Sequence, residues 1–283
     1  MNKVLVLGAN GMAGKTISTY FSENGYEVYK TQISDIQDDK TYAYDIMNDM
    51  HKLESIIKEV KPNLVINAIG ILNSAAENNK VLAVTVNSLF PHYVNSLSSA
   101  YKFKFIHMST DCVNSGSKGE YVESDIPDAT SFYGRSKALG EVLDTDNLTF
   151  RTSIVGPDAN ENGIGLFNWF MKQSGTIGGY SKVIWSGVTT IELAKAMEEA
   201  YKQDLKGLYF LVNNETISKY DLLELFKKYL NKDIIIEKND NVIENKSMKC
   251  TRTDFNYKVP SYNVMVKEMS EFIAKHSNFY NYK

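Results

Sequence analysis

The chain has 283 residues, 43% of them apolar and 23% charged, with a net charge of −3: one large domain or one and a half, without the basic excess that nucleic-acid binding calls for. Its longest apolar runs fall far short of a membrane span, and MNKVLVLGAN runs into a glycine turn instead of a cleavage site. Two cysteines, Cys112 and Cys250, fit a reducing cytoplasm without disulfides, and four dispersed histidines lack metal-ligand spacing, so no metal is expected.

Residues 4–7, Val-Leu-Val-Leu, form a run too short for a helix and lead directly into Gly8-Ala-Asn10-Gly11-Met12-Ala-Gly14. A helical pattern follows, with Ile17, Tyr20 and Phe21 on one side. Strand, glycine turn and helix together are the setting in which such a motif binds a dinucleotide. The glycines let the backbone turn tightly and touch a pyrophosphate, whose charge meets the helix N-terminus. Residues 26–30 read as the second strand. The residue at its end meets the adenosine ribose, an acid for a free 2′-hydroxyl and a basic group for a 2′-phosphate. Lys30 stands there and the first acid is Asp35, which leans toward NADP(H) and leaves NAD(H) open.

Residues 41–44 are strand-like, and Asp45-Ile46 after them lie within reach of an adenine. A helix over 49–60 leads to a strand at 64–66, and Asn67-Ala68-Ile69-Gly70 then sits at a strand's carboxyl end, where such sheets hold ligands. A long helix covers 80–100. Asn87 inside it either faces solvent or bonds the backbone beneath the site.

A buried strand at 103–108 delivers Ser109-Thr110-Asp111, and a helix over 131–144 carries Tyr133 and Lys137. Four residues apart, these two share one helix face. An ammonium beside a phenol stabilises its anion, so Tyr133 is expected to trade a proton below the ordinary tyrosine range. With Thr110 holding a substrate carbonyl, this is a set for carbonyl reduction. The pattern alone is weak: with 18 Tyr in the chain, chance supplies about two Tyr-x-x-x-Lys matches, and Tyr26–Lys30 is the second.

A strand at 148–151 closes the alternating half. Beyond Gly156-Pro157 the elements shorten and mix: a helix over 166–173, a turn at 175–179, a helix over 191–201, a strand at 208–212, a helix over 219–230, a strand at 234–236 and a helix over 262–275. The expected fold is α/β, a Rossmann-type doubly wound parallel sheet over 1–155 with a smaller C-terminal α/β substrate lobe over 156–283, some of whose segments return to the first domain.

With the three glycines, Ser109-Thr-Asp111, Tyr133/Lys137 and Phe150-Arg-Thr-Ser153 in this order, the chain resembles the extended short-chain dehydrogenase/reductases. Within them it is most similar to the dTDP-4-dehydrorhamnose reductases. The resemblance covers nearly the whole chain and implies a catalytic set of Thr110, Tyr133 and Lys137. In it Tyr133 gives a proton to the carbonyl oxygen, Lys137 lowers its pKa and holds the nicotinamide ribose, and Thr110 bonds the carbonyl. Gly8, Asn10, Gly11 and Met12 would line the pyrophosphate, Asp45 and Ile46 the adenine, and Ala68, Ile69 and Gly70 the inner ribose. Ser109, Thr110, Cys112 and Ile154 would lie near the sugar. Cys112 replaces the family's Tyr and Ile154 a frequent Trp.

The implied activity is NAD(P)H-dependent reduction of the 4-keto group of a dTDP- or UDP-linked 6-deoxyhexose, in surface polysaccharide synthesis, with a homodimer left open. A sugar-nucleotide epimerase is the second enzyme reading, although its usual Ser-Ser-Ala or Ser-Thr-Ala is missing because Asp111 follows Thr110. A 4,6-dehydratase would place Glu where Cys112 stands. A non-catalytic NADP-binding regulatory protein of the same fold is a reading of a different class.

Overall fold

The computed structural model describes residues 2–34, 38–143, 146–160 and 162–282. β1 (Lys3–Leu7) leads into α1 (Met12–Glu23), β2 (Glu27–Gln32) and β3 (Thr41–Ala43). Two helices, α2 (Ile46–Asp49) and α3 (Lys52–Val60), replace the single one expected, and β4 (Leu64–Asn67) follows. α4 (Asn73–Asn78), α5 (Lys80–Ala83) and α6 (Phe90–Tyr101) come next, with a π-helical segment, Val84–Leu89, between the last two. β5 (Lys104–Met108), α7 (Phe132–Leu139) and β6 (Leu148–Arg151) complete this half.

The remainder comprises β7 (Ile154–Val155), α8 (Leu166–Met171), β8 (Thr176–Tyr180), β9 (Val183–Trp185), β10 (Val188–Thr189) and α9 (Thr190–Lys202). After these come β11 (Gly207–Phe210), β12 (Ile217–Ser218), α10 (Lys219–Tyr229), β13 (Ile235–Asn239), β14 (Glu244–Asn245) and α11 (Tyr262–Lys275).

Seven strands form one parallel sheet in the order β11-β6-β5-β4-β1-β2-β3. The central strands β1 and β4 are buried and almost wholly apolar because both faces are covered. Val4 and Val6 join the core on the α1 side with Ile17 and Phe21, while Leu5 and Leu7 join the opposite core with Leu53, Ile57 and Phe90. The order reverses at β1, so the crevice between the carboxyl ends of β1 and β4 is the switch point where such sheets hold ligands.

Two expectations are corrected. The segment 175–179 is mostly strand: β8 pairs in parallel with β13. Of its glycines only Gly175 has a positive φ, 69°. Gly179 is there for space, since a Cβ would lie 2.9 Å from the Tyr220 ring. The helix carrying Tyr133 ends at Leu139 because Gly140 packs on the backbone of the π segment, where a Cβ would come within 1.9 Å of the Asn87 carbonyl oxygen. β11, far beyond residue 156, extends the main sheet by pairing in parallel with β6.

Candidate active site

The glycine turn is built by backbone geometry. Gly8 has φ +79°, and its amide and that of Ala9 both donate to the Thr31 carbonyl, at 3.2 and 3.0 Å. Gly14 lies so close beneath that a Cβ would sit 2.1 Å from the Gly8 carbonyl oxygen. α1 starts at Met12 with no side-chain cap and no acid in its first turn, which leaves its leading amides for an anion. These features fit a dinucleotide pyrophosphate.

In front of the turn is a cavity of about 260 Å³ at the switch point. Of the residues expected to hold a cofactor, Gly8, Asn10, Gly11, Asp45, Ile46, Ala68, Ile69 and Gly70 line it. Met12 heads α1, and Gly14 supports the turn from behind. Asp45 caps α2 by accepting from the Met47 amide at 2.9 Å. Thr31, Gln32, Ile33, Tyr44 and Ile71 line the cavity as well and had not been singled out. Strand alternation together with the switch-point rule would have found Thr31.

Ile71 also packs into the cluster around Tyr133, which joins the cavity to the second half of the site. Thr110 caps the short 3₁₀ turn Asp111–Val113: its hydroxyl accepts from the Cys112 amide and donates to an Asp111 carboxylate oxygen, each at 3.1 Å. Tyr133 and Lys137 project from α7, whose N-terminus is capped by Ser131. The Tyr133 phenol is 8% exposed, and burial raises its pKa above the ordinary tyrosine range. The neighbouring Cys112 and Asp111 push the same way, and only the Thr110 hydroxyl opposes them. This corrects the expectation that Lys137 pulls the phenol down. The Lys137 ammonium instead donates to the Met108 carbonyl at 2.6 Å, and burial lowers it to about 8 against the pull of Glu141.

Beneath these groups is a fully buried ion pair. Arg151 binds Glu141 through Nε at 2.8 Å and Nη2 at 2.6 Å, with both side chains 1% exposed. Ser109 donates its hydroxyl to the same carboxylate at 2.6 Å, so it supports the site from below and does not face a sugar. Asn87, in the π segment, accepts from the Ile71 amide at 2.8 Å and donates to the Ile71 carbonyl at 2.9 Å and to the Ser136 hydroxyl at 3.1 Å. Of the two possibilities for this residue, the backbone bond is the one found.

Residues 1–273 match the family model described as RmlD substrate binding domain. The chain belongs to this family. A dTDP-4-dehydrorhamnose reductase from Aggregatibacter actinomycetemcomitans is 28% identical over 235 residues, covering 78% of this chain and 76% of that protein. The spore coat polysaccharide biosynthesis protein SpsK of Bacillus subtilis (strain 168) is 26% identical over 229 residues, covering 78% and 77%. A methionine adenosyltransferase 2 subunit beta from Xenopus laevis is 21% identical over 245 residues, covering 78% and 70%. Among solved structures, the dTDP-4-dehydrorhamnose reductase of Bacillus anthracis str. Ames in complex with NADP has the same fold. Its TM-score is 0.80 at 21% identity, covering 97% of this chain and 99% of that one.

In this RmlD-family chain the remaining expected residues fall as follows. Lys30 does not line the cavity; its ammonium is 2.6 Å from Asp38 Oδ2, on the α1 side, where it acts on Lys15. The pleat sends Lys30 and Thr31 to opposite faces, and Thr31 takes the cavity. Asp35 lies outside the described residues. The second Tyr-x-x-x-Lys match runs into strand β2, which spreads Tyr26 and Lys30 roughly 13 Å apart at about 3.3 Å per residue. Cys112 packs beside Tyr133, and burial, with Asp111, pushes its thiol up to about 12, which rules it out as a thiolate nucleophile near neutral pH. Ile154 is in β7, opposite Val188, and packs against the main core.

The ion pair sets a stability prediction. Glu141→Ala strands the Arg151 charge and should cost about 3–5 kcal/mol, whereas Glu141→Leu combined with Arg151→Met should restore most of that loss. Urea unfolding of the three variants checks both halves.

Proposed function

We propose that the chain is an NADP(H)-dependent reductase of the 4-keto group of a nucleotide-linked 6-deoxyhexose, acting in surface polysaccharide synthesis. The observation that carries this reading is the grouping of Thr110, Tyr133 and Lys137 beside a glycine-cradled cavity at the sheet's switch point. The names of the A. actinomycetemcomitans and B. subtilis relatives support the substrate class and the pathway. The NADP held by the B. anthracis protein supports the cofactor. So do Gln32 and Ile33, which line the cavity at the end of β2 where a free 2′-hydroxyl calls for an acid.

A bound cofactor supplies the hydride. Tyr133 gives its proton to the C4 oxygen; its raised pKa keeps the phenol protonated at neutral pH, as a donor must be. The Thr110 hydroxyl steadies the same oxygen, turning from Asp111 to do so. Lys137 holds the ribose beside it. The C-terminal segments around α10 and β14 form the substrate side. The Xenopus relative, a subunit of another enzyme, favours a second reading in which the chain binds NADP without turnover.

Lys30 tests the cofactor side. NADPH should bind more tightly than NADH, and Lys30→Ala should leave that preference within about twofold, because the ammonium is engaged by Asp38. Fluorescence titration of both cofactors into both proteins decides it, and a lost preference would return Lys30 to the 2′-phosphate.

Tyr133→Phe keeps the ring and removes only the hydroxyl. Turnover should fall about 10²–10⁴-fold with little change in melting temperature. Tyr26→Phe is the internal control and should leave turnover almost unchanged.

The reductase, epimerase and non-catalytic readings differ in cofactor balance. With a nucleotide-linked 4-keto-6-deoxyhexose, one NADPH should disappear for each ketone reduced, and deuteride from labelled cofactor should appear at C4. Sugar conversion without loss of NADPH points to an epimerase, and neither change points to a binder. The dTDP- and UDP-linked ketones must both be tried.

A further inference from the structure

Two lysines from the C-terminal third converge on the turn that carries Thr110, and the site described above leaves them without a role. Lys219 is the first residue of α10, directly after the capping residue Ser218. Its ammonium lies 4.9 Å from the centroid of the Trp185 ring, which is itself 3% exposed. Among the described residues it makes no ion pair or hydrogen bond; the charges that act on it from further off are Asp111, Cys112, Glu244 and Lys246. Burial holds it down, at about 8. Lys246 pairs with Glu244 at 2.7 Å, and its stem packs on the loop after the 3₁₀ turn, where a Cβ on Gly116 would come within 3.0 Å of Lys246 Cγ. Asp111 and Cys112 act on it too.

These contacts fix where the lysines lie. Cys112 packs in the cluster around Tyr133, and a Cβ on the next residue, Gly134, would lie 2.1 Å from the Cys112 carbonyl oxygen. Lys219 and Lys246 therefore lie near the turn that follows Thr110. Nearby carboxylates do not satisfy them both. Asp111 takes the Thr110 hydroxyl and Glu244 pairs with Lys246, so the half-buried Lys219 has the Trp185 ring beside it and, among the described residues, carboxylates only at longer range. Buried charges are ordinarily paired, and an unpaired ammonium at the edge of a site is matched by an anion that arrives with the ligand.

We propose that Lys219 and Lys246 form an anion subsite that takes the diphosphate of a nucleoside diphosphate, with Lys219 as its main contact and the Trp185 ring as its floor. The assignment deepens the reductase reading, since it places the nucleotide beyond Cys112 while the sugar reaches back to Tyr133. A diphosphate supplies two negative charges and several acceptor oxygens, which suits two ammonium groups arriving from different elements. Its arrival also restores the Lys219 proton, so binding near pH 8 takes up protons from solution.

The test is calorimetric titration of dTDP, UDP, inorganic pyrophosphate and the bare nucleosides into wild type, Lys219→Met, Lys246→Met and the exposed-lysine control Lys249→Met. NADPH affinity and melting temperature serve as folding controls. Both nucleoside diphosphates should bind wild type and the control alike, and should weaken roughly 10–100-fold in Lys219→Met and less in Lys246→Met. At pH 8 the wild-type binding heat should vary with the ionisation heat of the buffer, and this proton uptake should vanish in Lys219→Met. Pyrophosphate binding as tightly as dTDP would make the subsite a general anion site. Unchanged affinity in both lysine variants, or no binding of any nucleoside diphosphate to wild type, overturns the proposal. Lysine-dependent binding in a protein that consumes no NADPH with any 4-keto sugar leaves the subsite standing and removes the reductase. Turnover with lysine-independent binding does the reverse.

Discussion

The buried pair between Arg151 and Glu141 is the constraint on which the site depends. Arg151 ends β6, Glu141 follows α7, and Ser109, bonded to the same carboxylate, follows β5. Glu141 is one helical turn beyond Lys137, and Ser109 is the neighbour of Thr110. One carboxylate thus ties together the two segments whose spacing determines whether a phenol and a threonine hydroxyl can meet on one oxygen. Taking both charges out of water costs several kcal/mol per ion before the two-point contact and the serine bond offset it. The Phe210 ring, 4.8 Å from the guanidinium, covers a further side of the arginine, whose Nη1 has no hydrogen-bond partner among the described residues. An apolar trio of the same volume would hold the fold at least as well. What it could not do is act on Lys137, whose ammonium is buried and is drawn upward by this carboxylate.

A second set of polar contacts pins α7 from the other side. The π segment widens the helix by one residue at the position of Asn87, and its amide is thereby aimed at the Ile71 backbone, which no regular turn of that helix leaves open. Ser88 donates to the Ser136 carbonyl at 2.7 Å from the same segment. Below the sheet edge, Asn67 bonds the His107 ring at 3.2 Å, and burial together with the charge of Lys137 keeps that imidazole neutral. The loop lining the cavity and the helix carrying Tyr133 are therefore parts of one hydrogen-bonded body.

The Rossmann half was legible because its signals are local. Val4 to Leu7 are apolar at every position since both faces are buried, and Gly8 and Gly14 mark a turn that side chains would block. Lys30 stands off the cavity because a strand end is two positions, one on each face, and a pattern without coordinates does not say which one meets it. The phenol–ammonium argument misled for a related reason: spacing puts Tyr133 and Lys137 on one helix face, but the Met108 carbonyl engages the lysine, and that contact joins residues 29 apart in sequence. The glycines at 178 and 179 read as a turn where they belong to a strand, Gly179 clearing room for Tyr220. Lys219 and Lys246 were silent in the sequence, being two lysines among many until the fold brought the start of α10 and the residue after β14 near the 3₁₀ turn.

The raised phenol and the two depressed lysines belong to one electrostatic arrangement. Lys137 and Lys219 are both held at about 8 by burial, one on the cofactor side of Tyr133 and one beyond Cys112. Neither forms an ion pair among the described residues; one has a carbonyl and the other a ring. A site built this way favours charge and hydroxyl groups that come from outside, because each ammonium gains more from a ligand than it surrenders to the protein. The Tyr133 phenol, meanwhile, is held above the ordinary tyrosine range by burial. In this chain two ammonium groups are left without a carboxylate partner among the described residues, and the buried arginine–glutamate contact joins the segment after α7 to β6.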